Sequence, residues 1–116
     1  MSPGRLSAET LQIDCAAEVE KISRWMVDAV ANKLHRRGVV IALSGGVDSS
    51  VCGALAVRAL GPSKVFGLLL PEHDSSSSSA SLGTQVANQL GIQYQLEHIG
   101  PTLEDIGCYR WRDDAM

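Results

Sequence analysis

A turn of serine and glycine residues with one carboxylate joins two apolar segments in the first half of the chain. Backbone N–H groups at the start of a helix lack intrahelical partners and attract anions. Glycines let the main chain approach a ligand closely, serine hydroxyls add donors, and a carboxylate can hold a divalent cation beside phosphates. These residue types predict a phosphate-binding turn, formed by Ser44, Gly45, Gly46, Val47, Asp48, Ser49 and Ser50.

The segments on either side of the turn have the composition of a strand and a helix. The five apolar residues Val39–Leu43 predict a strand that is buried on both faces. The apolar residues of Val51–Leu60 have helical spacing, which predicts a helix from about Asp48 to Leu60. A strand, a glycine turn and a helix in this order are the context that a phosphate-binding loop requires. The alternative is an ordinary connection in which Asp48 only complements the helix dipole.

Helical and strand patterns alternate along the rest of the chain. A long helix is predicted over Ser7–Arg37, with Ser7 as its N-cap and Gly38 as its stop. Two more strands are predicted at Val65–Leu70 and Gln93–Ile99, with a third helix between them. This alternation predicts an α/β fold with a parallel sheet and flanking helices.

Ligands of such folds bind beyond the carboxyl ends of the strands. The serine–glycine turn follows the first predicted strand, the segment 71–79 follows the second, and Gly100-Pro101 follows the third. We therefore expect three separate segments of chain to meet at one crevice. The segment 71–79 includes five consecutive serines, Ser75–Ser79, which are either a flexible linker or part of that crevice.

Length, charge and cysteine content restrict the class of protein. With 116 residues, 45% of them hydrophobic, the chain fits one domain, 1–116, divided into a helical lead-in (1–38) and a nucleotide-binding core (39–116). The net charge of −3 argues against a nucleic-acid partner. No apolar run is long enough to span a membrane, and Met1–Gln12 lacks the order of a signal peptide. The three cysteines are far apart, so we expect reduced thiols and a cytoplasmic protein.

The turn resembles one particular kind of phosphate loop. It lacks the lysine of G-x-x-x-x-G-K-S/T, and its adjacent glycines do not fit G-x-G-x-x-G. S-G-G-x-D-S at Ser44–Ser49 resembles the pyrophosphate loop of the ATP pyrophosphatases. The chain as a whole resembles the amino-terminal half of the ammonia-dependent NAD synthetases, and the resemblance begins in the long first helix and extends over nearly all of the sequence. Three stretches after the loop carry it most strongly: Ala54–Ser76, Leu90–Tyr94 and Ile106–Arg110.

The resemblance implies a fold, a reaction and a set of site residues. The fold is Rossmann-like, of the adenine nucleotide α-hydrolase type, truncated here after about three strands. In the family, ATP adenylates the nicotinate carboxylate of nicotinic acid adenine dinucleotide, pyrophosphate leaves with Mg²⁺, and ammonia displaces AMP to give NAD. The enzymes are homodimers. By position, the turn residues 44–50 would cradle the pyrophosphate with Asp48 as the Mg²⁺ ligand, and Leu69 and Leu70 would flank adenine.

Members of this family are much longer than the present chain, which leaves two other functions open. One is a different ATP-dependent ligase of the same superfamily, forming an amide or transferring sulfur. The other is a nucleotide-binding module without catalytic activity. The part of the sequence that binds the second substrate would distinguish another ligase from an NAD synthetase. Binding of Mg-ATP without turnover would indicate the nucleotide-binding module.

Overall fold

The computed structural model describes residues 8–72 and 77–115 and has an α/β architecture. Helical and extended segments alternate through most of the chain, as the sequence predicts, and short helical segments lie at both ends of the described residues. In chain order the elements are a 3-10 turn (Ala8–Leu11), α1 (Cys15–Val27), a π-helical turn (Asp28–Lys33), β1 (Val39–Ala42), α2 (Val47–Leu60), a second 3-10 turn (Pro62–Lys64), β2 (Val65–Leu69), α3 (Ser77–Leu90), β3 (Gln93–Leu96), α4 (Gly100–Asp105) and α5 (Cys108–Ala115).

The three strands form one parallel sheet in the order β1-β2-β3. Val39 pairs with Val65 at the start of β1, and Phe66 pairs with Gln93 at the start of β3. Among the described strands, β1 pairs with β2 alone, so its other edge carries no strand. The predicted parallel sheet of about three strands with flanking helices is confirmed. The proposed division of the chain at residue 38 stays a prediction.

The hydrophobic core lies on one face of the sheet, beneath α2 and α3. Leu69, only 1% exposed, is its largest fully buried side chain. α3 approaches the sheet closely at Gly83, where a Cβ would overlap the side chain of Leu69. Side chains from the sheet side and from both helices make up the buried cluster: Leu43, Ala56, Val65, Leu69, Ala87 and Ile92.

The opposite face of the sheet is open, which corrects the prediction of a strand buried on both faces. In β1, Val39 and Ile41 pack against the core, whereas Val40 is 65% exposed and Ala42 is also exposed. The reason is that α2 and α3 both pack against the core face. An apolar run such as Val39–Leu43 predicts that both faces can be covered, but the described elements cover only one.

The predicted helix over Ser7–Arg37 is divided into shorter pieces. α1 begins at Cys15, because the carboxylate of Asp14 caps it by accepting the backbone N–H of Ala17 at 3.2 Å. Ser7, the predicted N-cap, lies outside the described residues. The helical segment continues through the π-helical turn to Lys33 and ends there, four residues before the predicted end.

The residue that terminates this segment also differs from the prediction. The left-handed conformation belongs to His35, at φ 52°, and not to Gly38. Gly38 is needed for a different reason: a Cβ there would overlap the backbone carbonyl of Lys64 as the chain enters β1. A glycine that permits a close approach and one that permits a left-handed turn look the same in a sequence.

The second helix is covered on some sides and open on another. α2 packs against α1, α3 and the sheet, and Arg58 forms an ion pair with Glu20 of α1 at 3.5 Å. Val51 nevertheless remains 50% exposed, and Cys52 is also exposed. Among the described residues, no helix has the length and apolar character needed to cross a membrane.

Candidate functional site

The serine–glycine turn leaves the carboxyl end of β1 and enters α2 through two glycines with different backbone conformations. Gly45 has φ 85°, a left-handed value that glycine adopts without strain. Gly46 is the N-cap of α2 and is extended, with φ −81° and ψ 170°. Glycine is therefore favoured for two different reasons. At Gly45 the reason is the backbone conformation, and at Gly46 it is the lack of room for a side chain, because a Cβ would lie 3.3 Å from Ser44 Oγ.

The serine hydroxyls brace the turn from inside. The N–H of Ser44 donates to Ser49 Oγ at 3.2 Å, and the two hydroxyl oxygens of Ser44 and Ser49 lie 3.1 Å apart. The N–H of Gly46 donates to Ser44 Oγ at 3.2 Å. The hydroxyl of Ser50 donates to the Gly46 carbonyl at 2.7 Å. These bonds hold the chain in one shape at the start of α2, where the first backbone N–H groups have no carbonyl one turn earlier to bind.

Asp48 and Val47 form the exposed first turn of α2. The carboxylate of Asp48 lies where a negative charge complements the positive end of the helix dipole. Among the described residues, no group of three or more histidine, cysteine, aspartate or glutamate side chains could enclose a metal ion. Asp48 is thus a single exposed oxygen donor, suited to a cation that takes its other ligands from phosphate and water. Val47 is 78% exposed and packs against little.

A cavity of about 170 Å³ lies beside the turn. It brings Ser44 next to Leu69 and Leu70, the residues that the sequence places beside adenine. Leu69 is almost fully buried and forms part of the cavity wall from the core side, whereas Leu70 is 38% exposed and faces outward. The lining is mostly apolar: Ala42, Leu43, Ser44, Leu69, Leu70, Pro71 and Ala80.

Two of the three segments expected at the crevice meet in this cavity. The residues just before the third segment run beside β2 and the start of the second segment: the N–H of Glu97 donates to the Leu69 carbonyl at 2.8 Å, and that of Ile99 donates to the Pro71 carbonyl at 2.9 Å. Gly100 is buried and does not line the cavity. Residues 73–76, including the first two of the five serines, lie outside the described residues.

The structure adds a contact that the sequence reasoning missed. The hydroxyl of Tyr109 in α5 donates to Glu72 Oε2 at 2.9 Å, so α5 is tied to the segment that follows β2. Glu72 is next to Pro71 of the cavity wall. Both residues belong to stretches that carry the family resemblance, but nothing in their separation along the chain indicates that they touch.

The fold and the turn define an α/β protein with a helix start exposed at the carboxyl edge of a parallel sheet, an arrangement suited to a phosphorylated ligand. Residues 18–109 match the family model described as NAD synthase, and the chain belongs to that family. The family predicted from the motifs is therefore confirmed, and its named members are ligases that take part in NAD biosynthesis.

Individual relatives agree with this assignment. The NH3-dependent NAD⁺ synthetase of Rhizobium rhizogenes is 53% identical over 111 residues, covering 96% of this chain and 33% of the relative. The solved structure of an NH3-dependent NAD synthetase from Campylobacter jejuni has a TM-score of 0.74 at 30% identity, covering 81% of this chain and 40% of that one. The structure of an NMN synthetase from Francisella tularensis has a TM-score of 0.77 at 26% identity, covering 87% and 41%. The chain thus spans about a third of the length of the curated relatives it matches.

Proposed function

We propose that this chain supplies the ATP subsite of an NAD synthetase, which amidates nicotinic acid adenine dinucleotide to NAD and releases AMP and pyrophosphate. The observation that carries the proposal is the braced turn at the start of α2, with its left-handed Gly45 and hydrogen-bonded Ser44 and Ser49. A turn held in one shape before the ligand arrives loses little conformational freedom on binding. Membership of the NAD synthase family supports the reaction class.

The proposed reaction requires little covalent chemistry from the protein. A carboxylate oxygen of the nicotinate ring attacks the α-phosphorus of ATP, and the bond from that phosphorus to the bridging oxygen of pyrophosphate breaks. Ammonia then attacks the acyl carbon, and AMP leaves with the oxygen that joined it to that carbon. The turn contributes by binding the leaving pyrophosphate and fixing its direction, through the outward N–H groups of Val47 and Asp48.

Asp48 is the residue proposed to hold Mg²⁺. Its carboxylate is exposed and lies at the turn, and hard oxygen donors are the ligands that this ion takes in proteins. When bound there, the ion would neutralise charge that accumulates on the pyrophosphate. A single carboxylate fits an ion that keeps several waters and bridges phosphate oxygens.

The apolar cavity beside the turn is the proposed adenine subsite. Leu69 and Leu70 would flank the base from the end of β2, and Ala80 would close the side formed by α3. Small-molecule sites are usually apolar clefts with a few polar groups that fix orientation. Ser44 lines the same cavity and would supply its polar wall on the side of the phosphates.

The remaining partners of the reaction are proposals as well. Nicotinic acid adenine dinucleotide and ammonia would act as cosubstrates, in a cytoplasmic homodimer that binds neither nucleic acid nor membrane. The dimer is proposed from the family resemblance, and it would cover exposed apolar side chains such as Trp25 of α1, 62% exposed, and Val51 of α2, 50% exposed.

Calorimetric titration with Mg-ATP and with Mg-AMP tests the nucleotide site. We expect Mg-ATP to bind at least tenfold more tightly, or about 1.4 kcal/mol, because the turn contacts the phosphates that become pyrophosphate. Equal affinities would place the site away from Ser44–Ser49. A pyrophosphate-release assay with both cosubstrates then separates binding from turnover: binding without release would show that this chain alone is a nucleotide-binding module.

A further inference from the structure

One wall of the apolar cavity is formed by the segment that leaves the carboxyl end of β2. We call Leu70, Pro71 and Glu72 the wall segment; the first two line the cavity and the third follows them directly. Toward β1, the described backbone bonds reach only to the Leu68 carbonyl, which accepts the N–H of Leu43 at 2.8 Å. The wall segment therefore continues past the part of β2 that is paired on both sides.

On its other side, the wall segment is bonded to the residues that follow β3. The N–H of Ile99 donates to the Pro71 carbonyl at 2.9 Å, one step beyond the bond from Glu97 to the Leu69 carbonyl. Segments with few backbone bonds open locally at a low cost in free energy. The wall segment therefore needs a further contact if the cavity is to keep one shape.

Tyr109 of α5 supplies such a contact. Its hydroxyl donates to Glu72 Oε2 at 2.9 Å, and both residues are half-buried. A hydroxyl that donates to a carboxylate forms a charge-assisted bond, which is stronger than a bond between neutral groups. Because the two residues are 37 positions apart in the chain, this one bond ties the wall segment to a separate helix.

The surroundings of Tyr109 hold its ring in place. Gly107, with φ 86°, turns the chain between α4 and α5, and α5 packs against α4. The guanidinium of Arg112 lies over the Tyr109 ring, 5.1 Å from its centroid, in a cation–π contact. Arg112 also pairs with Asp113 at 3.1 Å. The ring is thus held at its face while its hydroxyl bonds to the wall segment.

We propose that Tyr109 is a positioning residue for the adenine subsite: by holding Glu72, it fixes Leu70 and Pro71 where they meet the base. The inference rests on the proposed function, because it assigns the cavity to adenine. A wall that is fixed before the ligand arrives loses less conformational freedom on binding. Tyr109 therefore raises the affinity for the base without touching it. The phosphates bind at the serine–glycine turn, where a separate set of hydrogen bonds holds the backbone, so their affinity does not depend on Tyr109.

Amide hydrogen exchange of the ligand-free 116-residue chain tests the positioning step. In Tyr109→Phe, we expect the Ile99 amide to exchange several-fold faster, because its acceptor is the Pro71 carbonyl of the wall segment. The Glu97 amide is bonded at the end of β2 itself and should change little, so it is the internal control.

Calorimetry with Mg-ATP and with Mg-tripolyphosphate tests the consequence for binding. Tyr109→Phe should weaken Mg-ATP binding about three- to tenfold, the worth of one hydrogen bond, and leave Mg-tripolyphosphate binding unchanged. Glu72→Ala should cause the same loss, and the double variant should lose no more than either single one, because both changes break one bond. Glu72→Gln keeps an oxygen acceptor and should retain most of the affinity. The matched control is Tyr94→Phe, which removes the same hydroxyl from β3, outside the described lining of the cavity, and should change neither affinity nor exchange.

The results that would overturn the inference differ from those that would overturn the proposed function. Unchanged exchange at Ile99, or unchanged Mg-ATP affinity in a chain that binds Mg-ATP, would refute the role of Tyr109 alone. Equal acceleration at Ile99 and Glu97, or equal weakening of both ligands, would show that the bond supports the whole fold and not the wall segment. Absence of Mg-ATP binding by the unaltered chain would refute the proposed function, and the adenine role of Tyr109 with it, even where exchange at Ile99 responds as expected.

Discussion

Neighbouring leucines in β2 provide a direct measure of how unequal the two faces of the sheet are. Leu69 is 1% exposed and contacts the core, whereas Leu68 is half-buried and lies on the open face of the sheet. Leu69→Ala and Leu68→Ala remove the same atoms from adjacent positions of one strand. Any difference in their cost therefore reports the environment and not the side chain.

The magnitudes follow from burial. Leu69→Ala removes a fully buried side chain and leaves a space that the core cannot readily fill, which costs about 2–5 kcal/mol in the free energy of unfolding. Leu68→Ala loses only part of the transfer free energy, about 1 kcal/mol, and opens no enclosed cavity. Because domains are usually stable by only about 5–15 kcal/mol, the first change should be visible as a large shift in the unfolding midpoint.

Urea unfolding followed by far-ultraviolet circular dichroism is the suitable assay. Tryptophan fluorescence would report little, because Trp25 and Trp111 are 62% and 63% exposed in the folded chain. Equal losses from Leu68→Ala and Leu69→Ala would refute the one-sided core.

Further predictions concern the turn and the surface of α2. Asp48→Asn should weaken Mg²⁺-dependent ATP binding at unchanged fold, and unaltered Mg-ATP affinity in calorimetry would show that the carboxylate serves only the helix dipole. Gly45→Ala forces a side chain into the left-handed region and should cost about 1–2 kcal/mol of stability in urea unfolding; no loss would mean that the turn can change shape. Gly46→Val should reduce ATP affinity more than stability, since its side chain would crowd Ser44 Oγ and occupy the approach to the phosphates. Ala54 is exposed, so Ala54→Glu should break self-association, measured by sedimentation, while the chain stays folded. Leu55 is part-buried, so Leu55→Glu should unfold the chain. Unfolding by both variants would place that surface of α2 in the core.

Features that depend on local chemistry were predictable from the sequence. A glycine at the end of a helical pattern indicates a helix stop, and Gly61, Gly91 and Gly107 have this position and positive φ angles between 69° and 89°. The strand–turn–helix order around Gly45 and Gly46 was likewise readable, because it depends on neighbours in the chain. The family followed from motifs distributed from the serine–glycine turn to Arg110, and the match of residues 18–109 to the family model confirms it.

Other features were not predictable in the same way. The apolar spacing in the first helix continues past Asp14, so the pattern gave no sign that this carboxylate would start a new helix. The exposure of Val40 depends on which elements cover the sheet, and the strand's composition is the same in either case. Serines in the turn were interpreted as ligand donors, whereas Ser44 and Ser49 bond to each other and to the backbone.

The parallel arrangement of the strands also sets the delay, during synthesis, between the making of one strand and the making of the strand with which it pairs. Val39 pairs with Val65 and Phe66 with Gln93, so each strand can pair only after roughly 26 further residues have been made. At about 5–20 residues per second, that delay is on the order of one to five seconds at each step. The apolar residues of β1 remain unpaired throughout the first interval. A pause in translation once Ala42 has left the ribosome would prolong this exposure, and a pause once Leu69 has left it would allow the first two strands to pair before the third emerges.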